Sequence, residues 1–219
     1  MLKLRPDRKK MKEILGKKLG MMRLFRDNGE IVGVTVIEAG PCKVVQIKTE
    51  KNDGYNAYQV GFGEKRKALI NKPTAGHFGK SNVTPTRYLR EIRYDGAIFE
   101  VGGEVKVDGF QEGERVDIIG VTRGLGFEGT MKRHNFKGAQ ATHGQSDRAR
   151  APGSMGSSSF PSRTFKGQRM ATRMGRENFT VLNLEVIKVI GEENLMLVKG
   201  AVPGFRGSLI KVRTTNRGR

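Results

Sequence analysis

The sequence predicts a mainly β protein, a small barrel or sandwich, interrupted by one long, irregular, basic segment. Three observations lead there. Short runs rich in Val, Ile and Leu recur along the chain, separated by turns of Gly, Asn, Asp and Pro. No long stretch carries the apolar period of an amphipathic helix. From Gly129 to Arg176, 48 residues pass without one Val, Ile or Leu.

The elements follow in order. Residues 1–15 form a basic opening, with a short helix expected over Arg8–Leu15. From Lys18 to Lys48 the pattern is that of strands. Leu19, Met21 and Leu24-Phe25 lead to a turn at Asp27-Asn28-Gly29, and Ile31–Ile37 follows as a β-branched run. Ala39-Gly40-Pro41 breaks the chain and Val44–Ile47 resumes it. Run, Asn/Gly turn and run again mark antiparallel hairpins. Tyr55–Phe62 reads as a further strand. Residues 64–95 differ, being basic and punctuated by Pro73, Gly76, Gly79 and Pro85, with a short helix expected over Pro85–Ile92. Strand character returns at Ile98–Val107 and Val116–Val121, on either side of the turn Gln111-Glu112-Gly113-Glu114. After the basic segment it returns at Val181–Ile190, Leu195–Val198 and Leu209–Val212. Many short strands divided by turns indicate a barrel or sandwich.

The basic segment cannot order itself by burying aliphatic side chains, because it has none large enough to offset the backbone entropy. It carries Lys132, Arg133, Lys137, Arg148, Arg150, Arg163, Lys166, Arg169, Arg173 and Arg176 against a single acid, Asp147. A long internal segment without secondary structure is usually functional, and this one calls for a polyanion, a folded nucleic acid. The whole chain agrees: 41 Lys and Arg against 22 Asp and Glu give a formal charge of +19. No apolar run approaches the length of a membrane span, and the N-terminus lacks the apolar core of a signal peptide. Asp7 and Glu13 argue against an organellar address. Cys42 is the only cysteine, which excludes internal disulfides and a thiolate zinc site and fits a reducing compartment.

Several motifs point elsewhere by their letters alone. Gly124-Leu125-Gly126-Phe127-Glu128-Gly129 fits the dinucleotide fingerprint, and Asp147 falls about twenty residues on. The fingerprint needs a helix packed on a sheet and a second strand ending at the acid, and residues 130–147 supply neither. These glycines are better read as sites of close backbone approach. His134 and His143 are nine apart, with no thiol and a single acid, Asp147, near them in sequence, so no metal is expected; in a basic loop they suit bases or phosphates. Ser157-Ser158-Ser159 lacks a nucleophile elbow and a base. Phe127, Phe136, Phe160 and Phe165 lie among the cations, where they serve either as stacking platforms for bases or as anchors of the segment. No catalytic constellation, cofactor or small-molecule substrate is legible, which argues against an RNA-modifying enzyme with a basic arm. A regulatory RNA-binding module is a further reading that the residues leave open.

At this point the motifs match a family. Gly16-Lys17-Lys18-Leu19-Gly20-Met21, Val34–Cys42, Gln46-Ile47-Lys48-Thr49 and Asp53–Ala57 resemble the opening strands of the universal large-subunit ribosomal protein L-three, in its bacterial or organellar form. Phe110, Asp117, Gly120, Thr122, Gly124, Gly126, Gly129 and Arg133 follow the family signature. Lys132–Phe136, Ala141–Gly144, Arg148, Pro152-Gly153-Ser154, Lys166-Gly167, Met174-Gly175 and Leu197–Gly204 continue it, so the resemblance covers about residues 16–213. Leu125 stands where the signature usually has a basic residue. Ser159 stands where many bacterial relatives carry a Gln that is methylated in some of them.

The resemblance implies a six-stranded Greek-key barrel of the translation-protein type, with a small inserted α+β lobe and a long irregular basic extension. The chain then divides into a basic N-terminal segment (1–15), barrel (16–63), inserted lobe (64–95), barrel (96–128), an rRNA-binding arm (129–176), barrel (177–213) and a basic tail (214–219). It implies no enzyme but a structural constituent of the large ribosomal subunit, cytoplasmic or organellar. Such a protein binds 23S-type rRNA near the 3′ end, acts early in assembly, touches neighbouring ribosomal proteins, and extends its arm toward the peptidyl transferase centre. The residues expected to meet rRNA are Arg123, Lys132, Arg133, His134, Lys137, His143, Arg148, Arg150, Arg163, Lys166, Arg169, Arg173 and Arg176.

Overall fold

The computed structural model describes residues 12–93 and 99–215. Its strands are β1 (Glu13–Phe25), β2 (Ile31–Ala39), β3 (Cys42–Lys48), β4 (Ala57–Glu64), β5 (Thr86–Arg93), β6 (Glu104–Val105), β7 (Arg115–Val121), β8 (Gly126–Glu128), β9 (Thr172–Met174), β10 (Asn178–Ile190), β11 (Leu195–Lys199) and β12 (Leu209–Thr214). The α-helices are short: α1 (Glu50–Asp53), α2 (Lys72–Lys80) and α3 (Thr130–His134). The chain separates into two compact units, one made of the residues up to Val121 and from Asn178, the other of Thr122–Glu177.

In the first unit β1, β12, β7, β10, β11 and β2 close in that order into an antiparallel barrel. Alternation along the strands sends one set of side chains inward. Leu15, Ile37, Val116, Ile118, Val186, Met196, Val198, Ile210 and Val212 are buried there in one cluster. Each such aliphatic side chain contributes on the order of 1.5–3 kcal/mol by leaving water. Closure requires local bends, and the register shifts between Lys18 and Gly20 on β1 and between Val181 and Leu184 on β10 supply two of them.

A second sheet, ordered β5-β4-β3-β6, shares that core. Val44, Tyr58, Val60, Phe62 and Ile92 join the barrel cluster. Val45 on β3 and, two strands away, Leu89 on β5 face the other way and pack with Phe78 of α2 and with Val83. Close pairing of β4 with β5 depends on Gly61, where a Cβ would collide with the Thr86 side chain.

Several sequence expectations are corrected here. The helix expected over Arg8–Leu15 lies partly outside the described residues, and its last three, Glu13–Leu15, are strand. Ile14 and Leu15 are fully buried, which fixes them in the barrel rather than in a solvated helix. Pro85–Ile92 is not helical either, because β5 pairs with β4 from Glu64↔Thr86 to Ala57↔Arg93. Long-range pairing overrides the local signal of Pro85. Ile98 lies outside the described residues, and of the run to Val107 only Glu104–Val105 is strand. Gly102 and Gly103 turn the chain instead, bonded to both backbone groups of Val44 at 2.8 and 2.9 Å.

Cys42 opens β3 with its thiol fully buried, donating to the Leu15 carbonyl at 3.4 Å. Burial pushes the thiol up to about 12. A buried thiol without thiolate character is unreactive. The folded protein is therefore expected to resist an aromatic disulfide reagent at pH 8 and to react stoichiometrically once unfolded in guanidinium. Rapid labelling of the native chain would show that β3 opens locally.

Candidate nucleic-acid interface

Thr122–Glu177 begins and ends as a two-stranded ribbon. The Thr122 N–H donates to the Glu177 carbonyl at 2.9 Å, and the Leu125 N–H donates to that of Met174 at 2.9 Å. β8 then pairs with β9 through Gly126↔Met174, Phe127↔Arg173 and Glu128↔Thr172. The ribbon's close approach requires Gly175, at φ +75, because a Cβ there would run into the Arg123 carbonyl. The helix α3 follows β8 and stops where Asn135 adopts the left-handed conformation, φ 58.

Two of the expected contact residues are turned inward to hold this unit together. Arg133 donates through Nη1 to the Arg173 carbonyl and lies 3.8 Å from the Glu177 carboxylate through Nη2. His134 bonds the Met170 carbonyl through Nε2 at 3.2 Å, which requires the proton on that nitrogen. These contacts fasten α3 to the returning strand. The other eleven residues, Arg123, Lys132, Lys137, His143, Arg148, Arg150, Arg163, Lys166, Arg169, Arg173 and Arg176, are exposed. Among the described residues Lys132 alone of these pairs with an acid, Glu128 at 2.6 Å.

The unit as a whole holds eleven Lys and Arg against Glu128, Asp147 and Glu177. Nine of those cations have no acid partner among the described residues, so the surface repels itself unless an anion neutralises it. Thr130 is the one residue of the unit that is buried. The aromatics divide. Phe127, Phe160 and Phe165 are exposed, at 77, 87 and 63%, and present free ring faces. Phe136 is half-buried and tilted against His134 with ring centroids 6.2 Å apart.

Beyond α3 the unit folds back on itself. The Ala139 N–H donates to the Ala149 carbonyl at 3.0 Å. Gly138, at φ +76, is needed beside it, because a Cβ would strike that same carbonyl. The Gln145 carboxamide oxygen accepts from the N–H groups of Arg148, at 2.8 Å, and Ala149, at 3.2 Å, and so fixes the turn between the two limbs. The result is an open cleft of about 550 Å³ lined by Phe136, Lys137, Gln145, Arg148 and Pro152 together with the backbone of Gly138. Sequence reading did not single out Gln145, since a side chain bonded to a turn's backbone leaves no compositional trace.

The described residues contain no group of three or more His, Cys, Asp or Glu able to hold a metal. None of their helices is long and apolar enough to cross a membrane. The glycine fingerprint at 124–129 runs into an antiparallel two-stranded ribbon and a five-residue helix, without the parallel sheet that a dinucleotide site requires.

The sequence profile of the family described as Ribosomal protein L3 matches residues 95–195. The large ribosomal subunit protein uL3 of Chlorobaculum parvum is 56% identical over 209 residues, which are 94% of this chain and 100% of that protein. Those of Chlorobium limicola and Chlorobaculum tepidum are 53 and 54% identical, over 92 and 94% of this chain and 98 and 100% of theirs. The chain belongs to the ribosomal protein L3 family. The family is one of structural proteins, not enzymes.

The signature motifs of the L3 family acquire physical roles in this chain. Arg133 staples α3 to the returning strand, and Gly175 lets the two strands of the ribbon approach. Asp117 is buried in the barrel, bonded to the Asn183 N–H at 3.0 Å and to Arg213 at 3.3 Å. Leu125, at the family's usual basic position, is 45% exposed and places no charge there. Ser159 is exposed, and its carbonyl accepts from the Ser162 hydroxyl.

Proposed function

We propose that this chain is a structural constituent of the large ribosomal subunit, at work in the cytoplasm, and that residues 122–177 are its rRNA-binding arm. The observation that carries the reading is the set of nine exposed cations without an acid partner on a unit with one buried residue. Arg123, Lys137, Arg148, Arg150, Arg163, Lys166, Arg169, Arg173 and Arg176 neutralise phosphates. Lys132 and His143 lie at the same surface, while Arg133 and His134 act by shaping it. Phe127, Phe160 and Phe165 are platforms on which unpaired bases stack.

The finer features follow the family resemblance. The barrel is a Greek key of the translation-protein type; the order β12-β7-β10-β11, in which the last strand returns beside the first, supports that topology. The sheet β5-β4-β3-β6, lying in sequence between β2 and β7, supports an inserted lobe. The barrel binds rRNA near its 3′ end early in assembly and meets neighbouring ribosomal proteins there. The arm runs toward the peptidyl transferase centre, where a chain of cations without aliphatic bulk screens closely packed phosphates.

The test is the salt dependence of binding to large-subunit rRNA. If about half of the nine free cations meet phosphates, log K should fall against log[salt] with a slope on the order of −3 to −5. Arg150→Ala or Lys166→Ala should each reduce the slope by up to about one unit. A slope near zero would mean that shape and stacking carry binding, and the charge argument would fail.

A further inference from the structure

We infer that the cleft between the two limbs of the arm is a receptor for one unstacked ribonucleotide of the bound RNA. The inference rests on the rRNA-binding reading and deepens it, since a surface that merely screens phosphates needs no cavity. The cleft's volume, about 550 Å³, lies within the roughly 300–1,000 Å³ range of sites for small organic ligands, and a single nucleotide is a ligand of that kind. Its lining has the three components a nucleotide requires. Phe136 supplies a ring for the base to stack on, and Pro152 adds a second apolar surface. Lys137 and Arg148, neither paired with an acid among the described residues, supply charge for the phosphates on either side. Gln145 is the one neutral lining side chain able to hydrogen-bond a base edge.

No carboxylate lines the cleft, although Asp147 lies within two residues of Gln145 in sequence. The cleft is also built rather than incidental. The Ala139–Ala149 hydrogen bond, Gly138 in its left-handed conformation and the Gln145 bonds to the turn hold both limbs from the inside. The exposed rings of Phe127, Phe160 and Phe165 have no such enclosure and accept any base. The half-buried Phe136 is held in place and accepts one.

Two measurements on assembled large subunits test this. Zero-length ultraviolet cross-linking of wild-type particles, read by mass spectrometry, should yield a single nucleotide attached to the peptide containing Phe136. Base-specific chemical probing of particles carrying Phe136→Leu or Arg148→Ala should then show that same nucleotide more reactive by about five-fold or more, as loss of an aromatic stacking partner implies. Glu192→Gln, in the turn between β10 and β11, should leave it unchanged. Adducts on the peptides of Phe127, Phe160 or Phe165 with none on that of Phe136 would overturn the inference while leaving the arm an RNA-binding element. So would reactivity changes spread over many nucleotides. Absence of any adduct between residues 122 and 177, together with unaltered probing of an Arg150→Ala, Lys166→Ala double variant, would overturn the rRNA reading itself. Should the variants fail to enter particles, the wild-type cross-link alone decides.

Discussion

Replacing residues 123–176 with an Asn-Gly turn is expected to leave a folded barrel that enters early assembly particles but does not support normal large subunits. The first half of this expectation comes from register. Val121 on β7 faces Asn178 on β10, and the bond from the Thr122 N–H to the Glu177 carbonyl continues that pairing by one residue. Two strands in such pairing are joined by a two-residue turn without displacement, and Asn-Gly suits the twist of the strands. The buried hydrophobic side chains, from Ile14 to Val212, all lie outside the removed segment. The melting temperature should therefore move by no more than about 4 °C, the equivalent of roughly 1 kcal/mol. The second half comes from charge. On the proposed function, the rRNA around the arm loses nine free counter-charges, so its phosphates repel and its packing is left open. Sucrose gradients should show late precursors accumulating, and the subunits that do mature should be slow in a peptidyl-transfer assay. Exclusion of the armless chain from even the earliest particles would show that the arm is the primary binding element, contrary to this division of labour.

How much of this was legible in the sequence depends on how far apart the deciding residues lie. The run Val34-Thr35-Val36-Ile37 reads as a strand without help, because β-branched residues between turns have few alternatives. Val116–Val121 and Leu209–Val212 read as strands for the same reason. By contrast, α2 carries one buried apolar residue, Phe78, in nine, so it has no period to detect. β5 was mistaken for a helix because its identity is settled by β4, more than twenty residues earlier, and by the fit of Gly61 against Thr86. The arm shows the same contrast. Its surface was legible as composition, since charge without aliphatic residues has few other uses. The inward roles of Arg133 and His134 were not, because their acceptors lie 40 and 36 residues away. The cleft at Gln145 depends on backbone bonds that no residue type announces.

Asp117→Ala is expected to destabilise the barrel by roughly 1–3 kcal/mol, the range for removing one partner from a buried hydrogen-bonding group. The reason is the bend in β10. Between Val181 and Leu184 that strand shifts register against β7, and Asn183 sits within the shift at φ 58. A residue so placed cannot use its N–H in the ladder, and in this exposed stretch of β10 that N–H turns to the buried carboxylate of Asp117 instead. Asp117 Oδ1 accepts it at 3.0 Å, while Oδ2 takes Nη2 of Arg213 on β12 at 3.3 Å. One carboxylate on β7 thus fixes the strands on both of its sides. The Arg213 side chain is 34% exposed and that of Asp117 6%, so without the carboxylate the guanidinium still reaches water, while the bend in β10 loses the acceptor that holds it. Arg213→Ala should accordingly cost less than Asp117→Ala, and Asp117→Asn should fall between them, because its carbonyl still accepts from Asn183 but carries no charge for Arg213. Urea unfolding of the chain and the three variants gives the comparison directly. Equal losses for Arg213→Ala and Asp117→Ala would assign the stabilisation to the ion pair instead of to the bend in β10.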